Sequence, residues 1–331
     1  MNSFSDMKND QYNYGMLSEN ELQLVNRWCD SLQLFKYHIS LPKIVGVQQL
    51  QKVGKLLLEN APSLFCIQGF QFYTTSTAIE IQPMYSLSRQ EAEVLLAECE
   101  EQRTNLLHRV NAADTYDSVL QIHDIISRNI RYVAGDNPEL HSIVGPLTKR
   151  MGVCEGYAKT LKYILDAMSI PSIVIVGSGY NQLANQEEPH AWNLVQIDGE
   201  WTHIDLTFDT TIREHGVPRY DYFGLPNEEV LKDHKYDVSL YPEAKSKRLS
   251  YYERNGLVMR KKSSLNAFLM GSLQAGKKEI VFKLPDTASE ANIEAQVTSE
   301  INSFLSQNNL YVGYMLYYNA KQKVFHVHLE G

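Results

Sequence analysis

No stretch of this 331-residue chain approaches the run of about 18 apolar residues that a bilayer-spanning helix needs, so no membrane span is expected. Residues 1–15 mix Asn, Ser, Asp and Tyr without an apolar core, so neither a signal peptide nor an anchor is expected, and the reading is of a cytoplasmic protein. Cysteine is scarce. Cys29, Cys66, Cys99 and Cys154 lack both the close spacing of a zinc site and the density of a small secreted scaffold, which points to isolated reduced thiols. Glycine and proline, 18 and 11, are too few for a collagen-like or low-complexity chain. Positive charge is not in excess either. Thirty-one Lys and Arg against 39 Asp and Glu give a net charge of −8, so neither nucleic acid nor anionic membrane is an expected partner. What remains is 44% hydrophobic and 21% charged, enough for a globular protein of one large or two ordinary domains.

The pattern along the chain divides it. Residues 1–17 read as a flexible tail, and 18–114 as a mostly helical extension with a hairpin. Ser18 and Glu21 form a capping-box pattern ahead of a helix that presents Trp28, Cys29 and Leu32 on one face. A helical pattern covers 47–60, strand-like alternation runs from Phe65 to Pro83, and Ser88 with Glu91 opens a helix to about Val110. From about Asp117 a further helix carries Leu120, His123, Ile126 and Ile130; adjacent helical positions diverge by about 100°, so His123 and Asp124 are not expected to act jointly. Cys154 then begins a helix with Tyr157, Leu161, Ile164 and Leu165 on its apolar face. Strands follow over 172–177, 190–197 and 200–206, the last two joined by Asp198-Gly199, so 115–258 reads as an α+β domain. The chain past Asp221 looks irregular and charged, and Arg260-Lys261-Lys262 marks a linker. Residues 263–331 read as a small αβαββ module, with His326 and His328 expected on its surface.

Chemistry concentrates in the central region. A thiol at a helix N-terminus has its thiolate favoured by unpaired N–H groups, which is where Cys154 stands between Gly152 and Gly156. Alone, such a cysteine reads more readily as a small side chain filling the helix start. His190 supplies the imidazole that a cysteine nucleophile needs. If Asp198-Gly199 is a two-residue turn, Trp192 faces Asp205 and His190 faces Thr207, which leaves His190 and Asp205 diagonal neighbours on one sheet face. Diagonal Cβ separations of about 7–8 Å are bridged by a His and an Asp side chain. Asp209 is the reserve acid, and His203 reads as a core or rim residue.

Three blocks carry a resemblance. They are Gly152-Val153-Cys154-Glu155-Gly156-Tyr157-Ala158, Pro189-His190-Ala191-Trp192-Asn193 and Trp201-Thr202-His203-Ile204-Asp205-Leu206-Thr207-Phe208-Asp209. In this order they resemble the bacterial transglutaminase-like superfamily over roughly residues 115–225. The resemblance implies a papain-like core, a Cys-bearing helix packed on an antiparallel sheet bearing His and Asp. Cys154 would be the nucleophile, His190 the general base and acid, and Asp205 the orienter of the imidazole. Trp192, Glu155 and Gly156 are expected as oxyanion or substrate neighbours, and no cofactor or metal is expected.

The implied reaction is acyl transfer on an amide through a thioester, with hydrolysis of a peptide or protein substrate leading. Amine transfer by a protein transglutaminase is the alternative within that chemistry, and a non-catalytic binding or scaffold module is the alternative outside it. A zinc hydrolase would instead need His190, His203 and a third ligand to converge.

Overall fold

The computed structural model describes residues 18–42, 46–181, 185–289 and 291–330; the tail expected over 1–17 lies outside them. Near the N-terminus, helices α1 (Glu19–Gln33) and α2 (Val47–Asn60) pack Trp28, Leu32, Leu50, Val53 and Leu57 against a three-stranded sheet. That sheet has the order β1-β3-β2, from β1 (Ile39–Pro42), β2 (Ile67–Thr74) and β3 (Ala78–Tyr85). The β2–β3 hairpin matches its alternation. β1 was not expected, because four residues carry too little periodicity to announce a strand. Helix α3 (Arg89–Leu107) begins with the expected capping box, the Ser88 hydroxyl accepting from the Glu91 N–H while the Glu91 carboxylate accepts from the Ser88 N–H. Helix α4 (Thr115–Asn129) starts two residues before Asp117 because Asp114 takes the cap, its carboxylate accepting from the Asp117 N–H.

The central layer follows from one helix and one sheet. A two-residue pairing of β4 (Arg131–Tyr132) with β5 (Met151–Gly152) leads into helix α5 (Cys154–Ala167). Tyr157, Leu161, Ile164 and Leu165 of α5 meet Val119, Ile122 and Ile126 of α4 and Val195, Ile197 and Ile204 of the sheet, forming one core. The sheet itself has the order β10-β6-β7-β8-β9 and is antiparallel throughout. Its members are β6 (Ser172–Asn181), β7 (Gln186–Ile197), β8 (Glu200–Ile204), β9 (Phe223–Leu225) and β10 (His234–Lys235). Helix α6 (Leu206–Thr211) interrupts the chain between β8 and β9. The segment past Asp221 is therefore not simply irregular, since it supplies both edge strands of this sheet.

The turn between β7 and β8 is as expected. Asp198 and Gly199 both have positive φ, 52° and 81°, and Ile197 pairs with Glu200, which is the two-residue hairpin geometry whose twist suits the strands.

At the C-terminal end, α9 (Lys262–Gln274) and α10 (Ile293–Gln307) cover a sheet of order β11-β13-β12, from β11 (Glu279–Lys283), β12 (Gly313–Asn319) and β13 (Val324–Glu330). Two four-residue helices, α7 (Asn227–Val230) and α8 (Tyr251–Arg254), precede it. From α9 onward the elements run in the order αβαββ. His326, expected on the surface, is fully buried and bonded to Glu279 Oε2 at 2.6 Å, because the strand face it shares with His328, opposite the helix-covered Phe325 and Val327, is packed against His215 and Tyr317. Arg260, Lys261 and Lys262, the expected linker, are exposed, while Val258 and Met259 just before them are buried and the Met259 N–H donates to the Lys283 carbonyl at 2.7 Å. No described helix is long and apolar enough to cross a membrane.

Candidate active site

Helix α5 has Val153 as its N-cap and no side chain capping it, so the first-turn N–H groups of Cys154 and its neighbours are left to whatever occupies the cleft. Cys154 is half-buried there, whereas Cys29, Cys66 and Cys99 are buried. Burial pushes the thiol of Cys66 up to about 11 and that of Cys99 up to about 12, which removes both as nucleophiles at neutral pH. Gly156, one turn into the helix, permits this placement: a Cβ there would lie 2.1 Å from the Leu140 carbonyl oxygen.

His190 sits on β7 with its Nε2 donating to Asp205 Oδ2 at 2.6 Å, which leaves Nδ1 for the Cys154 sulfur. The ring is nine-tenths buried and stacks on Phe208 with centroids 4.4 Å apart. Gly179 on β6 makes room for it, since a Cβ would come within 3.1 Å of His190 Cδ2. Burial alone would push the imidazole down, but the Asp205 carboxylate and then the Cys154 sulfur overrule it and hold His190 at about 10. Asp205 is likewise buried, and the two imidazoles His190 and His234 hold its carboxyl well below the usual carboxylate range despite that burial. The strand ends one residue before Asp205, earlier than the expected Leu206, and Asp205 becomes the N-cap of α6. Its Oδ1 accepts the N–H groups of Thr207 and Phe208 at 2.9 and 3.0 Å. The acid is thus fixed by the same backbone that turns the chain away from the sheet.

Cys154, His190 and Asp205 are brought together; the other three expected residues are not. Trp192 is buried and donates its only N–H to His203 Nδ1 at 3.1 Å, so it has nothing left for an oxyanion. Glu155 points along the outside of α5, bonded to His141 Nδ1 at 3.0 Å and Lys159 at 2.7 Å. Gly156 faces the Leu140 backbone rather than the cleft. Asp209, the reserve acid, is also committed elsewhere: Oδ2 meets His123 Nε2 at 3.0 Å and Oδ1 accepts the Tyr222 N–H. His203 is a core residue, pushed down to about 3 by burial and held as the Nε2–H tautomer by the Trp192 donor.

The cleft in front of Cys154 and His190 has a volume of about 480 Å³. One wall comes from Tyr180 and Glu188 on the β6–β7 hairpin, another from Phe208 and Ile212, and a third from Leu316, Tyr317, Tyr318 and Asn319 of β12. Nothing in the residue pattern signals that the C-terminal module reaches here. Among the described residues two groups bring three ligand-type atoms within 4.8 Å of one another, His190 with Asp205 and His234, and Glu228 with Glu229 and Asp286. The first is closed by hydrogen bonds to Asp205 Oδ2, and the second is neutralised by Lys232, Lys247 and Lys283. Both ring nitrogens of His203, which a zinc reading needed, are committed, Nδ1 to the Trp192 N–H and Nε2 to Asn227 Oδ1.

Among solved structures, a candidate cysteine protease from Cytophaga hutchinsonii is 18% identical, over 43% of this chain and 62% of its own, with a TM-score of 0.30. A TGase is 13% identical over 57% and 59%, with a TM-score of 0.32. The periplasmic domain of TgpA from Pseudomonas aeruginosa, bound to ethylmercury, is 17% identical over 40% and 55%, with a TM-score of 0.25. The chain thus spans less than two thirds of the length of these structures. No curated protein matches the sequence. Residues 104–206, which hold Cys154, His190 and Asp205, match the family model of the transglutaminase-like superfamily.

Proposed function

We propose that this protein is a cysteine-dependent acyl-transfer enzyme that hydrolyses amide bonds in a peptide or protein substrate. The observation that carries the reading is the convergence of a thiol at an uncapped helix N-terminus with an imidazole whose far nitrogen is 2.6 Å from a buried carboxylate, at one open cleft. In this reading residues 115–258 form the catalytic unit and 263–331 add a wall to its cleft.

The Cys154 thiolate adds to the substrate carbonyl, and the Cys154 N–H at the start of α5 donates to the oxyanion that forms. As the C–N bond breaks, His190 Nδ1 gives its proton to the leaving amine, producing a thioester and a free amine. His190 then removes a proton from water as it attacks the thioester, and the thiolate leaves with a carboxylic acid as product. Asp205 keeps Nε2 protonated throughout, so the nitrogen facing sulfur is the one that exchanges protons.

The test is limiting iodoacetamide labelling of each cysteine between pH 5 and 8, in the native protein and in His190→Ala, read by peptide mass spectrometry. Cys154 should label fastest, with a rate sustained at low pH that His190→Ala loses. Cys154→Ala should also abolish acylation by an activated ester while leaving the fold intact. Labelling of Cys154 that is slow and independent of His190 would overturn the reading in favour of a binding module.

A further inference from the structure

The Asp205 carboxylate has a second imidazole. Oδ2, which accepts from His190 Nε2, also accepts from His234 Nε2 at 3.0 Å. His234 is fully buried on β10, and its other nitrogen, Nδ1, lies 2.7 Å from Asp233 Oδ1. With a carboxylate at each ring nitrogen, both nitrogens carry hydrogen and His234 is an imidazolium between two aspartates. Asp233 is held in turn: its Oδ2 accepts from the Tyr222 hydroxyl at 2.8 Å and from Gln322 Nε2 at 3.2 Å. The Tyr222 oxygen accepts from Asn319 Nδ2 at 3.0 Å. Asn319 and Gln322 lie at the β12–β13 turn, so a chain of buried hydrogen bonds joins the C-terminal module to the acid behind His190.

We propose that His234 is a positioning residue for the Asp205–His190 pair, and that the C-terminal module completes the active site by holding His234 through Asn319, Gln322, Tyr222 and Asp233. The proposal rests on the acyl-transfer reading and deepens it. Asp205 Oδ1 is fixed by two backbone donors, but among the described residues Oδ2, the oxygen that orients His190, has only the two imidazoles to set it. Two cationic donors on one oxygen also make it a weaker acceptor for each. His190 is therefore oriented firmly while its proton stays transferable, which is what a group that must act as acid and then base requires. The same module that shapes the cleft through Tyr317, Tyr318 and Asn319 would thus also tune the reacting pair, so substrate selection and catalysis share one element.

The titratable groups facing His234 come from every neighbouring element. They are Asp205 at the start of α6, Asp233 beside it, His190 on β7 with ring centroids 5.6 Å away, His203 on β8, and Tyr222 before β9 at 5.5 Å. Trp192 at 4.7 Å and Phe208 at 5.0 Å complete the shell without charge. The positive charge of His234 therefore bears on His190 mainly through the carboxylate they share.

His234→Gln keeps a donor toward Asp205 and removes the charge, while Tyr222→Phe leaves His234 in place and cuts its tie to Asn319. The readout is the full pH profile of Cys154 alkylation by iodoacetamide in the whole protein, alongside a melting curve. In His234→Gln the alkaline limb, where His190 gives up its proton, should move up by about one pH unit, a tenfold change in the protonation equilibrium. Tyr222→Phe should move it the same way by less. A lowered melting temperature with an unmoved profile in both variants makes His234 merely structural and overturns the proposal, leaving the acyl-transfer reading intact. A shift in His234→Gln with none in Tyr222→Phe combined with Gln322→Met, which together cut both ties to Asp233, overturns the role of the C-terminal module. A native protein without His190-dependent labelling removes the acyl-transfer reading and this inference with it.

Discussion

In two sheets of the molecule a buried strand histidine meets a carboxylate, and the two pairs behave oppositely. In the central sheet His190 meets Asp205 at 2.6 Å, and in the C-terminal sheet His326 meets Glu279 at 2.6 Å. Asp205 is 1% exposed and keeps His190 protonated to about 10. Glu279 is 30% exposed and shared with His328, whose Nδ1 is 2.7 Å away, and there burial wins and His326 is pushed below its ordinary value. The depth of the acid decides the direction, because a half-solvated carboxylate is screened and a buried one is not. His215 adds to the difference, stacking on His328 at 4.1 Å and placing another imidazole rather than a thiol beside the pair. A His–carboxylate pair is thus no evidence of catalysis until the acid is buried and a nucleophile stands at the free nitrogen.

Exchanging the acids breaks or confirms this comparison with the largest effect. Asp205→Asn removes the charge and permits the wrong imidazole tautomer, so turnover of a peptide substrate should fall by about 10⁴-fold, as for the orienting acid of other triads. Glu279→Gln makes the same chemical change at the other pair and should leave turnover within about twofold. Equal losses in the two variants would mean that both pairs serve the site.

A smaller effect separates the two pairs by pH. Between the ordinary histidine value near 6.5 and about 10, the folded protein holds a proton on His190 that the unfolded chain releases, so this contribution is complete below about 6.5 and is lost as pH rises through 10. His326 has the opposite sign: the unfolded chain binds the proton more tightly, so folding is penalised as pH falls below about 6.5. Melting temperatures taken across pH 5 to 10 should show a shallower alkaline decline in His190→Gln and a shallower acid decline in His326→Gln. The alkaline decline will not vanish, since His123 and His234 are raised by their own carboxylates in the same direction. Identical profiles for the two variants would undo the assignment of opposite signs.

Packing at Gly156 comes next in size. Its missing Cβ would sit 2.1 Å from the Leu140 carbonyl, a backbone atom that cannot swing aside. Gly156→Ala should cost about 2 kcal/mol or more in denaturant unfolding and displace the start of α5, slowing Cys154 alkylation as well. Unchanged stability would show that the 138–142 loop yields.

The residues that could be read ahead of the structure are those fixed by local rules. Cys154 follows from a glycine-flanked helix start, and the approach of His190 to Asp205 follows from a two-residue turn that sets which side chains share a face. What escaped reading depends on contacts between distant segments. Asp205 and His234 are 29 residues apart, and His234 stands on a two-residue strand that no alternation can reveal. Asn319 reaches Tyr222 across 97 residues. Glu155 and Gly156 were expected at the site because they adjoin Cys154, yet each step along α5 turns a side chain by about 100°, which takes both away from the cleft. Trp192 was expected from its strand face alone, which cannot tell where an indole N–H finds its acceptor.

The smallest expected effect concerns the turns that set the two registers. Gly199 adopts φ 81° with no other atom within 4 Å of where a Cβ would be, so Gly199→Ala meets only a conformational penalty, about 1 kcal/mol. In the β12–β13 hairpin the corresponding left-handed residue is Lys323, φ 55°, whose Nζ donates to the carbonyls of Asp286 and Ala288. That turn tolerates a side chain because the side chain is bonded; in the β7–β8 turn Asp198, φ 52°, carries one and only Gly199 does not. Five ladder pairs from Asn193–Ile204 to Ile197–Glu200 hold the catalytic register beyond the turn itself. Gly199→Ala should therefore lower stability slightly while leaving the pH profile of Cys154 alkylation where it was. A profile that collapses toward that of His190→Ala would mean that the turn, and not the ladder, keeps His190 over Asp205.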